Sequence, residues 1–209
     1  MGYILSLAWF IVLSNTKPSS IGLTLESHID RDEQEVTQMA DKGHFLLLMK
    51  GATLWNQWRQ EHTEVQPDLC GIDLTNANLR GADLTKADLR WTDLTKADLT
   101  EANLTEAFLT EANLIMTILS KANLTKTDLL RASLFGADLR GAVLRKANLT
   151  EADLYEADLR GADLREANLY RADFRRADLR ETNYIKANFY GTKLVGAIFS
   201  DADLVHRGD

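Results

Sequence analysis

The strongest constraint in this 209-residue sequence is a large apolar side chain at every fifth position from Leu69 to Leu204. Of these 28 positions, 24 are leucine, and the other four are Phe174, Tyr184, Phe189 and Phe199. Two residues before each of them, from residue 72 to residue 202, stands alanine or threonine, with Ile72 as the exception. The residue in between is most often aspartate or asparagine, so the repeat reads Ala-Asp/Asn-Leu followed by two variable residues.

A period of five fits neither regular secondary structure. On an α-helix the leucines would advance by about 140° per repeat and cover every side of the helix. On a continuous strand an odd spacing would place successive leucines on opposite faces. All the leucines can be buried together only if the backbone turns once per repeat, which aspartate and asparagine favour. The pattern therefore predicts a β-solenoid, and the twenty-residue recurrence of Ile115, Phe135 and Tyr155 favours four repeats per coil.

The run from Ala82 to Leu89, Ala-Asp-Leu-Thr-Lys-Ala-Asp-Leu, and its many copies resemble the pentapeptide repeat family. The resemblance covers roughly two-thirds of the chain, and it implies a right-handed quadrilateral β-helix of about seven coils. In that fold the leucine and alanine positions point inward, and the other three positions point outward. The string from Trp55 to Arg59, ahead of the repeats, resembles the beginning of many cyanobacterial members of this family.

The segment before the repeats is predicted to be one helix from His44 to His62, since residues that make one apolar stripe recur there at helical spacing: Leu47, Leu48, Gly51, Leu54, Trp55 and Trp58. An open solenoid end exposes leucines and unpaired strand edges. We therefore expect residues 44–66 to be an α-helical cap and residues 67–209 to be the β-helix. A ligand role for the two tryptophans is the weaker alternative.

Residues 1–43 are predicted to be a poorly ordered or targeting segment with an acidic linker. Residues 3–13 are apolar and uncharged, but they are too few to span a bilayer, which needs about 20 residues. Three interpretations stay open: peripheral or secretory targeting, translation that begins at Met39, and a helix packed on the solenoid. A cytoplasmic location is expected, with membrane association or export through residues 3–13 as the alternative.

Composition and residue spacing do not indicate catalysis. The formal net charge is −7, so direct nucleic-acid binding is not expected. Cys70 is the single cysteine, and the four histidines are scattered without a ligand spacing. The aspartates recur with the fold, which is explained by turn formation. We therefore predict no catalytic, cofactor or metal site, and a protein that is not an enzyme.

Outward positions that depart from the repeat are the candidate sites. A candidate protein-binding patch consists of seven apolar residues in two neighbouring coils: Phe108, Ile115, Met116, Ile118, Leu130, Phe135 and Val143. With four repeats per coil, all of them except Ile118 and Val143 are expected to share two adjacent faces. Packing between coils, without a partner, is the alternative. A candidate dimer surface lies at the C-terminal end and consists of Phe189, Phe199, Leu204 and Val205. The alternative there is that bulky residues close the end of the core.

The predicted function is a non-enzymatic binding or scaffold module with an unidentified protein partner, and a homodimer through the C-terminal end is possible. One alternative is a DNA-mimicking protein that interacts with a topoisomerase such as gyrase. The balance of 19 basic and 23 acidic residues from residue 67 onward argues against it, because such mimics are distinctly acidic. A membrane-associated structural protein is the other alternative. The column of Arg140, Arg160 and Arg180 is expected to be neutralised by neighbouring aspartates.

Overall fold

The computed structural model describes residues 41–200. Two helices, α1 (Lys42–Leu48) and α2 (Ala52–Glu61), are followed from Pro67 by a continuous solenoid. Residues 1–40 of the predicted targeting segment and linker, together with Leu204 and Val205, fall outside these residues, whereas Lys42 and Gly43 belong to α1 and not to that segment. Neither of the two helices is long and apolar enough to cross a membrane.

The prediction of a single helix from His44 to His62 is wrong, because the chain breaks at Gly51. Its φ of 107° lies in the left-handed region, where glycine avoids the clash of a Cβ atom. Because of this break, the buried residues of α1 and α2 do not form the single stripe that was predicted. Leu54, which was predicted to belong to the apolar stripe, is 48% exposed, whereas Leu48 and Trp55 are buried.

The solenoid is held together by parallel bridges between residues twenty apart, from the Asp68–Asp88 bridge to the Asp178–Ile198 bridge. At the first bridge, the Leu69 N–H donates to the Asp88 carbonyl at 2.8 Å. The Asp88 N–H in turn donates to the Pro67 carbonyl at 2.8 Å. Each coil therefore contains four repeats, as the twenty-residue recurrence predicted. Within residues 41–200, each repeat contributes one bridge residue and no longer strand.

The four sides of the coil are numbered here by their first core residue. Face 1 begins with Leu69, face 2 with Leu74, face 3 with Leu79 and face 4 with Leu84, and each recurs every twenty residues. Within a repeat, the residue before the core residue is called the ladder position. The next two residues after the core residue are called the rim and corner positions.

Leucine and alanine fill the core as predicted, and the core-position leucines from Leu69 to Leu179 are at most 1% exposed. Threonine replaces alanine at five positions without leaving its hydroxyl unpaired. The Thr117 hydroxyl, for example, donates to the Leu94 carbonyl at 2.7 Å, and Thr92, Thr127, Thr182 and Thr192 make the equivalent bond. Because a buried hydroxyl needs a partner, this bond explains why threonine fits the alanine position.

Corner positions adopt the left-handed backbone conformation in every repeat from Gly71 to Gly196. Nineteen of these residues are not glycine, and they include Met116 with a φ of 54°. The turn is supported from the ladder position, where the side-chain oxygen of aspartate or asparagine accepts the rim N–H. At Asp73, for example, this bond to the Thr75 N–H is 2.8 Å long. Aspartate and asparagine therefore stabilise the turns, as predicted.

Side chains of α2 bond to the first strand of face 4, which has no preceding coil. The Trp55 Nε1–H donates to the Asp83 carbonyl at 2.7 Å. The Asn56 Oδ1 accepts the Asp83 N–H at 2.8 Å, and the Arg59 Nη2–H donates to the Thr85 carbonyl at 3.0 Å. These three side chains satisfy backbone groups that a preceding coil would otherwise bond.

The first strand of face 1 is paired in a similar way by the beginning of α1. The Asp68 N–H donates to His44 Nδ1 at 3.2 Å, and the Asp68 carbonyl accepts the Asp41 N–H at 3.2 Å. The bridge ladder reaches Ile198. The predicted number of about seven coils includes residues beyond 200, which fall outside the described part of the chain.

Candidate functional site

Five of the seven residues in the predicted apolar patch lie on two adjacent faces. Phe108 and Leu130 are on face 1, whereas Ile115, Met116 and Phe135 are on face 2. Three of them are substantially exposed, with Phe108 at 42%, Met116 at 52% and Phe135 at 37%. Exposed apolar side chains that cluster in this way are typical of interaction sites.

The corner between faces 1 and 2 is charged. Arg131 there pairs with Glu111 at 3.7 Å and with Glu151 at 2.9 Å. This row of ion pairs separates the apolar residues of face 1 from those of face 2. The two groups are therefore distinct surfaces, and face 2 carries the larger one.

Face 2 extends its apolar column through an aromatic stack. The Phe135 and Tyr155 rings lie 5.7 Å apart at an angle of 3°. The guanidinium groups of Arg175 and Arg176 lie 5.4 and 5.6 Å from the centre of the Tyr155 ring. The twenty-residue recurrence placed Tyr155 in this column, but the sequence analysis did not include it in the patch. We call Ile115, Met116, Phe135 and Tyr155 the face 2 surface.

Ile118 and Val143 do not join the other five residues. Both occupy ladder positions, Ile118 on face 3 and Val143 on face 4. Ile118 is 39% exposed, and Val143 is half-buried. They were included in the predicted patch because they lie in the same two coils, and only the other five residues were expected to share two adjacent faces.

Phe108 lies beside the connection between α2 and the solenoid. It lines a depression together with residues from that connection and from the nearby corner: Arg59, Thr63, Glu64, Val65, Gln66, Lys86 and Glu106. Arg59 is buried there, and its Nη1–H donates to the Val65 carbonyl at 2.7 Å. The exposed side chain of Phe108 thus lies next to the residues that connect α2 to the solenoid.

Face 3 carries a self-neutralised ladder of arginine and aspartate, as the sequence analysis predicted. Arg140 pairs with Asp138 at 2.7 Å and approaches Asp158 of the next coil to 3.8 Å. Arg160 repeats this arrangement with Asp158 and Asp178. Hydrogen bonds from the arginines hold the pKa of the Asp138 and Asp178 carboxyl groups below the usual range.

The C-terminal candidate surface is only partly described. Phe189 and Phe199 are partly buried, and the Tyr184 ring meets their edges at centroid distances of 5.7 and 6.4 Å. The sequence analysis missed an exposed apolar residue on each face of the last described coil. These residues are Ile185, Tyr190, Val195 and Ile198. Their outward positions near the end of the repeat run were the available signal.

Among residues 41–200, no group of three histidine, cysteine, aspartate or glutamate side chains is arranged to hold a metal ion. Their carboxylates are distributed along the faces. On face 3, for example, Asp138, Asp158 and Asp178 are engaged by the arginines of their own repeats.

Comparison with solved structures finds several pentapeptide repeat proteins, whereas no curated protein matches the chain. HetL of the cyanobacterium Nostoc sp. strain PCC 7120, a protein involved in heterocyst differentiation regulation, is 32% identical, with 62% of this chain and 77% of HetL covered and a TM-score of 0.38. A protein of the Arabidopsis thaliana thylakoid lumen is 23% identical, with coverage of 66% and 74% and a TM-score of 0.32. QnrB1, a plasmid-mediated fluoroquinolone resistance protein, is 16% identical, with coverage of 65% and 91% and a TM-score of 0.34.

The family model for pentapeptide repeats matches in 8 copies, at residues 68–100, 92–131, 132–171 and 172–206. Members of that family fold as right-handed quadrilateral β-helices, and the family is generally non-enzymatic. The bridges twenty residues apart and the inward leucines and alanines described above agree with that fold. Because the matched residues make up more than half of the sequence, this chain belongs to the pentapeptide repeat family.

Proposed function

We propose that this protein is a non-enzymatic scaffold that binds a partner protein through the face 2 surface. The observation that carries the proposal is the unbroken column of Ile115, Phe135 and Tyr155 at successive rim positions, with Met116 at the adjoining corner. The rim positions on either side of this column carry polar residues, Thr75 and Thr95 before it and Arg175 after it, and the next apolar rim residue on this face is Val195 in the last described coil. Aromatic residues, methionine and arginine are enriched in protein interfaces, and tyrosine and arginine often dominate their binding energy.

The backbone around this surface supports the same function. The Leu114 and Met116 N–H groups donate to carbonyl groups of the next coil at 2.7 and 2.8 Å. The backbone on both sides of Ile115 is therefore hydrogen-bonded to that coil. Its side chains are therefore presented in fixed positions. A partner would pay little for ordering this surface, because preorganised groups lose less conformational entropy on binding.

The test compares two double variants made of the same kind of change. Ile115→Ser with Phe135→Ser removes the centre of the face 2 surface, and Phe108→Ser with Ile118→Ser makes the same two kinds of change on faces 1 and 3. We expect the first variant alone to lose a partner captured from the native organism and quantified against the wild type. The mass in solution, from light scattering, shows whether that partner is a second copy. Equal recovery by both variants would refute the proposal.

We further propose that α1 and α2 cap the N-terminal end of a β-helix of about seven coils. The bonds from Trp55, Asn56 and Arg59 to the first coil support this role, because they occupy backbone groups that would otherwise form an open strand edge. Removing residues 41–66 should expose that edge, and the truncated protein should aggregate in sedimentation measurements. A monomeric truncated protein that melts like the full chain would contradict the cap.

We also propose that the C-terminal end, with Phe189, Phe199, Leu204 and Val205, forms a homodimer. The exposed Ile185, Tyr190, Val195 and Ile198 around the last described coil support it. The variant Val195→Ser with Ile198→Ser should shift the mass in solution from dimer to monomer. A wild-type protein that is monomeric at micromolar concentration would dismiss the dimer.

The two alternative functions have less support. A DNA mimic that acts on gyrase needs a continuous acidic face, whereas the aspartates of face 3 are paired with arginines. A supercoiling assay with added protein tests it, and inhibition or protection at micromolar concentration would favour it. The membrane-associated alternative, like the cytoplasmic location, depends on residues 3–13, which lie outside the described residues, and cell fractionation tests both.

A further inference from the structure

Among the arginines at rim positions of the solenoid, one lacks the ion pair that the others make. Eight rim positions carry arginine: Arg80, Arg90, Arg140, Arg145, Arg160, Arg165, Arg175 and Arg180. Six of them pair with the aspartate at the ladder position of their own repeat, and Arg80 pairs with Asp98 of the next coil. Arg145 makes no side-chain hydrogen bond, and no ion pair within 4.0 Å, to any part of the chain that the structure describes.

The cause is Val143, which occupies the ladder position of that repeat. In the preceding repeat and in the next coil of face 4, Arg140 and Arg165 direct Nε and Nη2 at the carboxylate of the ladder aspartate. The backbone N–H groups of both arginines donate to the same carboxylate. In the Val143 repeat the donors of Arg145 are present and the carboxylate is missing. Arg145 therefore occupies a position from which the other arginines bind a carboxylate, but its own repeat has Val143 there instead of aspartate.

The surroundings of Arg145 are basic. It lines an open depression of about 370 Å³ on face 4 with Asn123, Thr125, Lys126, Val143 and Lys146. Three of these six residues are cationic and none is acidic. Lys126 is paired with Glu106 at 2.8 Å, and Lys146 with Glu166 at 3.6 Å, so both acidic partners come from adjoining coils.

The nearest competing carboxylate is already occupied. Asp163, at the ladder position of the next coil on face 4, accepts two hydrogen bonds from Arg165. The hydrogen bond from Arg165 is the main reason that the pKa of Asp163 is lowered, and Arg145 adds a smaller electrostatic contribution. Asp163 thus faces Arg145 without taking its hydrogen bonds.

We propose that this depression, which we call the face 4 basic site, binds the carboxylates of an acidic segment in a partner protein. Planar guanidinium groups match carboxylates through two parallel hydrogen bonds, and the other repeats show this pairing at the same position. The charge is complementary, since Lys126, Arg145 and Lys146 line the depression and no acidic side chain does. The proposal concerns a different face from the face 2 surface and does not depend on it.

The test uses a substitution that restores the missing carboxylate. Val143→Asp gives Arg145 the intrarepeat partner that its neighbours have, and aspartate is common at this position, so the fold should persist. Ile118→Asp is the matched control, because it adds the same charge at a ladder position of face 3 beside Ser120. The probe is a fluorescein-labelled ten-residue peptide of glutamate and aspartate, and the reference peptide has glutamine and asparagine instead.

Fluorescence anisotropy should show that the full chain binds the acidic peptide and not the neutral one, with weaker binding as salt is raised. Val143→Asp and Arg145→Gln should each weaken the binding roughly tenfold, as expected for the loss of hydrogen bonds to a charged group. Ile118→Asp should change it less than twofold, and thermal melts should confirm that all variants are folded.

Several results would overturn the proposal. They are no binding of the acidic peptide by the wild type, equal binding by Val143→Asp and the wild type, and equal weakening by Val143→Asp and Ile118→Asp. Inorganic phosphate that competes at concentrations as low as the peptide itself would also overturn it, by assigning the site to phosphate. None of these results bears on the face 2 surface, whose own double variants test it separately.

Discussion

Replacing one core leucine tests how the solenoid derives its stability. Leu139 lies in the middle of the repeat run and is 0% exposed, with Leu119 and Leu159 one coil away on either side. Leu139→Ala removes three buried carbon atoms, which corresponds to about 2.4 kcal/mol of transfer free energy. The bonded strands on both sides limit collapse of the cavity, so we expect a total loss of about 3–4 kcal/mol.

Leu194 provides the matched control for this prediction. It occupies the same position of the repeat but is only partly buried, in the last described coil. Leu194→Ala should therefore cost about half as much or less, since less apolar surface leaves water there. Urea unfolding followed by circular dichroism gives both free energies. Equal losses for the two variants would refute the idea that continuous stacking of coils buries these leucines.

Three further predictions concern the cap, the corners and the ion pairs. Asn56→Ala should lower the free energy of unfolding by about 1–2 kcal/mol in urea titrations, because the Asp83 N–H loses its acceptor. Gly161→Ala should lower the free energy of unfolding by about 1 kcal/mol in the same assay, because its φ of +68° is strained for alanine. A clash is not the cause, since a Cβ added there meets nothing within 4 Å. The pKa of Asp178 is lowered by Arg180, so its contribution to stability is present above about pH 4 and is lost as the pH falls through the folded-state pKa. Asp178→Asn should accordingly lose less stability between pH 7 and pH 3 than the wild type does.

The sequence predicted the solenoid well because its period relates directly to geometry. A core residue every five positions requires a turn per repeat, and the recurrence of Phe135 and Tyr155 twenty residues apart corresponds to the observed stack. The arginine column of face 3 was likewise predicted with its aspartates. In each case, residues close in space stand at a fixed separation along the chain.

The features that were not predicted depend on contacts without a fixed separation. Gly51 stood inside a helical pattern, and its φ of 107° separates α1 from α2 there. Trp55 and Arg59 were assigned to apolar packing and to a resemblance, whereas their hydrogen bonds to the first coil depend on how α2 docks. The effect of Val143 was also missed, because it is visible only when Arg145 is seen to have no aspartate at the ladder position of its repeat.

The left-handed corners lie between these two cases. Glycine stands at the corner position in several repeats, including Gly71 and Gly161, and this preference indicated a positive φ. Lysine and glutamate together are more frequent than glycine at the same position, which obscures this signal in the sequence. The regular bonds of each corner to the next coil, such as the Lys86 N–H to the Thr105 carbonyl at 2.9 Å, stabilise the conformation for these residues as well.

The most direct test of the whole account is a pair of distances along one face. In a Cys70→Ala background, nitroxide labels are placed at Thr125 and Ile185, or at Thr105 and Ile185, all of which are rim positions of face 4. With about 4.8 Å between coils, the backbone separations should be about 14 Å over three coils and about 19 Å over four. Electron paramagnetic resonance should therefore give two short distances that differ by about one strand spacing. Distances of several tens of ångströms, or no fixed difference between the two pairs, would contradict a coil of four five-residue repeats.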